Sequence, residues 1–117
     1  MDKALRMLAT LLAMSGIAAC GHNDYPGYDP SVVGGACRGD LDCAPGARCQ
    51  TGGDLPDGTC TFPCAIHLDC TPTSACVDKH AGICLLTCQN DSWCRPGYHC
   101  RSVKDRGDGA ESLVCIK

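Results

Sequence analysis

The stretch "CRGDLDCAPGARCQTGGDLPDGTC", residues 37–60, decides the fold, because its cysteine spacing returns twice further along the chain. The second copy is "CAIHLDCTPTSACVDKHAGIC", residues 64–84, and the third is "CQNDSWCRPGYHCRSVKDRGDGAESLVC", residues 88–115. In every copy five residues separate the first cysteine from the second, and five separate the second from the third. The last gap varies and holds ten, seven and fourteen residues. Joints of three residues, "TFP" and "LLT", connect the copies. Proline falls two places after the second cysteine each time, at Pro45, Pro72 and Pro96. A fixed gap pattern with a register-locked proline marks an internal repeat. Residues 37–117 are therefore read as a cysteine-rich region of three tandem four-cysteine modules, 37–60, 64–84 and 88–115.

Composition sets the fold class. The chain has 117 residues and 13 cysteines, a density that indicates a disulfide scaffold in an oxidising compartment. Its only aromatic residues are Tyr25, Tyr28, Phe62, Trp93 and Tyr98. So few large apolar side chains cannot build a large core, and covalent staples must carry most of the stability. The expected fold is small and disulfide-rich, made of turns and short β-hairpins, with little helix beyond the N-terminal segment. A formal charge of −3 lacks the basic stripe that nucleic acid would require.

Within a module, Pro45-Gly46 and Pro96-Gly97 suit the centre of a type II turn, whereas Pro72-Thr73 predicts a type I turn. The third and fourth cysteines are expected to begin and end a hairpin, since the length between them varies without disturbing the rest. Four cysteines allow three pairings, and spacing alone does not choose among them. The arrangement favoured joins first to third and second to fourth, closing two overlapping loops that pin both turns. It resembles the first half of an epidermal-growth-factor module. On that basis Cys37 pairs with Cys49, Cys43 with Cys60, Cys64 with Cys76, Cys70 with Cys84, Cys88 with Cys100, and Cys94 with Cys115. Each bond is expected to contribute roughly 3 kcal/mol by constraining the unfolded chain.

The thirteenth cysteine stands apart. Residues 1–19 carry Lys3 and Arg6 ahead of a short apolar run, the pattern of a signal peptide, and the run is too short for a transmembrane helix. Ile17, Ala18 and Ala19 directly precede Cys20, which resembles the bacterial lipobox. That resemblance implies lipidation of the Cys20 thiol and removal of residues 1–19. Parity agrees, because setting Cys20 aside leaves twelve cysteines that can close completely. Gly21 at the next position resembles outer-membrane sorting in some Gram-negative bacteria. The competing reading is a soluble exported protein with an incidental cysteine. Residues 20–36 then form the lipidated N-terminus and a flexible tether, rich in Gly, Pro and Asp.

The front of the first module, "CRGDLDCAPGARC", is similar to the C-x-x-D-x-D-C-x-x-G-x-x-C signature of Dickkopf N-terminal cysteine-rich domains. Asp40, Asp42 and Gly46 occupy the matching positions. The second module keeps Asp69, with His67 and Thr73 in the other two places. The third keeps Asp91 and Gly97, with Trp93 replacing an aspartate. The resemblance implies a type of scaffold and no receptor contact.

No catalytic residue, cofactor or metal site is expected. Zinc and thioredoxin-like redox sites use C-x-x-C, which this chain lacks. His67, His80 and His99 lie in no catalytic motif and read as solvated histidines on turns. Asp40, Asp42, Asp69 and Asp91 lack the dense oxygen spacing of a calcium loop and read as acceptors for turn amides. Arg-Gly-Asp occurs at 38–40 and 106–108, an integrin-binding tripeptide when it caps a loop, but Asp40 also belongs to the scaffold pattern. The expected function is non-enzymatic: a lipid-anchored envelope protein that binds a protein or surface ligand of unknown identity, with no nucleic acid involved. A knottin-like inhibitor or effector of a secreted protease or other partner is the alternative, and an inhibitor would need one rigid, extended loop. "RSVKDRGDGAESLV", residues 101–114, is the only candidate, and it reads as flexible. Trp93 is the candidate binding residue, either an exposed anchor or a side chain packed over a disulfide or Tyr98.

Overall fold

The computed structural model describes residues 29–117; the signal segment, Cys20 and the first part of the tether lie outside them. After its first cysteine each module makes one 3-10 turn, at Asp40–Asp42, His67–Asp69 and Asp91–Trp93. A hairpin follows in each: β1 (Arg48–Gln50) with β2 (Thr59–Thr61), β3 (Ser74–Val77) with β4 (Ile83–Leu86), and β5 (His99–Lys104) with β6 (Glu111–Ile116). The three pairs form separate two-stranded antiparallel sheets. Between 3-10 turn and hairpin, the amides of Ala47, Ser74 and Tyr98 donate to the carbonyls of Ala44, Thr71 and Arg95. Gly46 and Gly97 both take a φ of 89°, the conformation a type II turn requires, while Thr73 stays out of that region.

The disulfides follow the crossed pattern in every module: Cys37–Cys49 and Cys43–Cys60, Cys64–Cys76 and Cys70–Cys84, Cys88–Cys100 and Cys94–Cys115. Across each hairpin the third and fourth cysteines face one another: Cys49 and Cys60, Cys76 and Cys84, Cys100 and Cys115. They do not bond to each other. Each reaches back instead to the front half of its module, so the two bonds clamp both turns onto one hairpin.

The modules are not independent beads. The segment before each first cysteine lies against that module's last strand. The Cys60 amide donates to Gly35, the Cys84 amide donates to Phe62, and Thr87 bridges Val114. In the first two modules this close approach requires glycine two residues before the fourth cysteine. A Cβ on Gly58 would lie 2.3 Å from the Cys37 carbonyl oxygen, and one on Gly82 would lie 2.3 Å from that of Cys64. All three modules feed one core: Leu55 from the first, Ala75, Val77, Ile83 and Leu85 from the second, and Tyr98, Val103, Val114 and Ile116 from the third. β3 and β4 lie at its centre and are buried along almost their whole length.

Two segments differ from their sequence reading. Residues 29–36, read as the end of a flexible tether, are docked on the modules. Asp29 caps a turn through Ser31, and the turn drives Val33 under the disulfides of the second module, where it is 1% exposed. The apolar pair Val32-Val33 is the reason, since a solvated tether has no use for it. The long segment 101–114, read as flexible, is mostly hairpin. Its strands keep six register pairs, from His99 opposite Ile116 to Lys104 opposite Glu111. Its turn is seated on the second module, where the Asp78 amide donates to Lys104 and the Arg106 amide donates to Cys76.

Candidate functional site

The modules place equivalent residues in equivalent roles, which separates scaffold from site. Three residues beyond the first cysteine stand Asp40, His67 and Asp91, and each accepts the amide of its module's third cysteine. Asp40 Oδ1 takes the Cys49 amide at 2.8 Å, His67 Nδ1 takes the Cys76 amide at 3.0 Å, and Asp91 Oδ1 takes the Cys100 amide at 2.8 Å. This bond, followed by the one from His99, holds the Asp91 carboxyl below its ordinary value. Two residues further on, Asp42 and Asp69 close the front loop by accepting two amides each, from Arg38 and Gly39 and from Ala65 and Ile66. The aspartates that carry the Dickkopf resemblance are thus occupied with scaffold hydrogen bonds.

The third module departs from this pattern. Trp93 holds the place of Asp42 and Asp69, and the 3-10 turn is capped instead by Asn90, whose Oδ1 accepts the Ser92 amide and hydroxyl. Trp93 is 40% exposed and lies beside Cys94, Cys115 and Tyr98 on the wall of a cleft of about 180 Å³. Trp93 therefore lines the cleft together with the Cys94–Cys115 disulfide and Tyr98 while part of its surface stays exposed. Opposite it the cleft is bounded by Gly34, Thr59 and Leu86, so the preceding segment, the first module, the second joint and the third module all contribute.

The floor is built by Arg95 and Tyr98, which the sequence reading did not single out as a pair. Tyr98 is buried, and its hydroxyl donates to the Pro56 carbonyl at 2.9 Å and shares a 2.7 Å hydrogen bond with Thr59. Burial pushes this phenol above its ordinary pKa. The Arg95 guanidinium stacks 4.3 Å from the centre of the Tyr98 ring. Its Nε donates to Gly34 at 2.9 Å, and Nη2 donates to Gly58, to Thr59 Oγ1 and to the Tyr98 hydroxyl. The two side chains therefore fasten the third module to the first. The signal that could have found them lies in the repeat itself. Alanine and threonine stand where Arg95 stands (Ala44, Thr71), and alanine and serine stand where Tyr98 stands (Ala47, Ser74).

The remaining candidates are structural. The three described histidines, read as solvated, are all partnered: His67 with Asp105 at 3.1 Å, His80 with Asp54 at 3.0 Å, and His99 with Asp91 at 3.1 Å. His67, Asp105 and Asp108 come close enough together to suggest a metal site. The Cys76 amide on Nδ1 argues against it, because the ring proton must then sit on Nε2, which donates to Asp105 and keeps no lone pair for a metal. The second Arg-Gly-Asp lies at the contact of the second and third modules, with Arg106 paired to Asp78 at 3.2 Å and Gly107 against Ala65. The first has its aspartate committed to Cys49. Neither is a free loop tip. The twelve cysteines from Cys37 to Cys115 are all consumed in disulfides, and Cys20 lies outside the described residues.

Fold and site together define a small disulfide-rich protein of three tandem modules with a cleft at their junction. In comparison with known proteins, the chain matches no family model, no curated protein and no solved structure.

Proposed function

We propose that this chain is a non-enzymatic binding protein of the bacterial envelope, anchored through lipid on Cys20, that meets a protein or surface ligand at the Trp93 cleft. The observation that carries the reading is the exchange at one repeat position. Where two modules keep an aspartate that closes their own loop, the third keeps a 40% exposed tryptophan, and Asn90 caps its 3-10 turn. Exposed tryptophans on rigid frames are common binding anchors. The lipobox-like segment and the odd cysteine support the anchor. The inhibitor alternative is not favoured, because the longest loop is spent in a hairpin seated on the second module.

Two variants test the two halves of the proposal. Trp93→Ala in the oxidised protein is expected to lose affinity capture of its envelope partner while its thermal midpoint stays unchanged. Lost stability with capture intact would make Trp93 a packing residue. Cys20→Ala is expected to leave the membrane fraction, and its recovery there with the parent's mass would defeat the anchor.

A further inference from the structure

We propose that the cleft selects an anionic group, a carboxylate carried on a short apolar body, with Arg95 as its counter-charge and Trp93 as its apolar wall. This rests on the reading of the cleft as the binding site and names the chemistry it takes.

The first argument is charge. Among the described residues every acceptor that Arg95 meets is neutral: the carbonyls of Gly34, Pro56 and Gly58, the Thr59 hydroxyl and the Tyr98 hydroxyl. Half-buried guanidinium groups are normally paired with a carboxylate. Arg106 follows that rule through Asp78, but among the described residues no carboxylate pairs with Arg95. Asp54 and Asp57 are near enough to act on the Tyr98 hydroxyl, yet Asp54 is held by His80 and neither reaches Arg95. No acidic side chain among the described residues lines the cleft. Among the described residues its one formal charge is the Arg95 guanidinium, with no carboxylate opposite it.

Donor capacity points the same way. A guanidinium carries five N–H groups. Nε is spent on Gly34, and the two protons of Nη2 serve three acceptors. Among the described residues Nη1 has a single long contact, 3.5 Å to the Pro56 carbonyl, so it retains donors for an incoming oxygen. Charge-assisted hydrogen bonds of this kind are about twice as strong as neutral ones.

Size then limits the rest of the ligand. At about 180 Å³ the cleft is well below the roughly 300–1,000 Å³ of a drug-sized pocket, so it takes a small fragment or the end of a larger ligand, with its apolar part between Trp93 and Leu86. Both a free short-chain acid and the carboxyl end of a peptide chain with an apolar last residue have this chemistry.

Trp93 is the only tryptophan in the chain, so its fluorescence reports on the cleft directly. The full chain, disulfides intact, is titrated with isovalerate and with isovaleramide, and in parallel with Gly-Gly-Leu as free acid and as C-terminal amide. Each acid is expected to saturate the signal at least tenfold more tightly than its amide, with the preference shrinking as salt is added. Tighter binding of the peptide acid than of isovalerate assigns the source to a chain end, and the reverse order assigns it to a free acid. Equal affinity of acid and amide would leave the cleft as a site and overturn its selection of charge. No saturable response to any of the four overturns the inference, while partner capture by Trp93→Ala still decides the underlying reading on its own. Arg95→Gln is expected to abolish the preference. Should that variant fail to fold, the acid–amide comparison on the unaltered chain remains decisive.

Discussion

The first and third modules are built on one frame and differ at three positions that matter. The first has Asp42, Ala44 and Ala47 where the third has Trp93, Arg95 and Tyr98. In the first module these places close the front loop or form a small turn, and Leu41 beside them is fully exposed. In the third, the same places reach across to the first module and build a cleft. The frame is equally satisfied in both cases, because the disulfides and the amide of the third cysteine are held identically. A scaffold fixed by covalent bonds leaves its remaining positions free to diverge, and here the divergence gathers on one module.

The largest expected effect breaks the frame itself. Removing the second disulfide of a module by paired serine substitution should cost about 2–5 kcal/mol. The cost should be greater for Cys94→Ser with Cys115→Ser than for Cys43→Ser with Cys60→Ser. Loosening β5 and β6 also withdraws Val103, Val114 and Ile116 from the shared core, whereas the first hairpin supplies little to it. Equal losses in denaturant titrations would mean that the modules fold as separate units.

A smaller effect is expected at the junction. Tyr98→Phe removes a hydroxyl bonded to Pro56, Thr59 and Arg95 and should cost about 1–2 kcal/mol. The phenol is raised by burial in the folded protein, so the protonated form is the one the fold favours. The corresponding stability is fully present below the ordinary value of 10.0 and is lost as pH rises through the higher folded value. An alkaline unfolding limb followed by circular dichroism should therefore flatten in Tyr98→Phe. An unchanged limb would show that the junction does not depend on this hydroxyl.

The smallest effect sharpens the comparison most. Trp93→Asp writes the first module's residue into the third, and with Asn90 still capping the turn its stability should stay within about 0.5 kcal/mol of the parent. Asn90→Ala alone should cost about 1 kcal/mol, because the Ser92 amide loses its acceptor. When Trp93→Asp and Asn90→Ala are combined, a carboxylate placed as Asp42 is would accept the amides of residues 89 and 90 and should offset part of the loss. Failure to recover would mean that the third loop has a shape of its own.

Much of the architecture is legible in the cysteines. Their spacing marks three modules, the variable last gaps mark three hairpins, and Pro-Gly against Pro-Thr distinguishes two kinds of turn. The aspartates are legible as acceptors of turn amides, since a short acidic side chain in a tight turn has few other partners. His67 is not, although it stands in register with Asp40 and Asp91. An imidazole nitrogen can accept an amide as a carboxylate oxygen does, and residue type conceals that equivalence where repeat position reveals it. Arg95 escapes a sequence reading for a related reason. Its bonds to the first module and the segment before it run to residues 36 to 61 places earlier in the chain, and no local pattern predicts such a reach.

What the sequence determined by itself is the covalent frame: which cysteines belong together in a module, where the chain must turn, and that twelve thiols close among themselves once Cys20 is set apart. Local spacing suffices for this because each loop is short and closes on itself. Only the tertiary structure decided how the modules meet. Val33 slides beneath the second module, the third hairpin seats its turn on β3, and Arg95 and Tyr98 bind the third module to Pro56, Gly58 and Thr59. These contacts join surfaces whose residues are ordinary in sequence and become complementary only when three similar frames are stacked, so the cleft is a property of their packing.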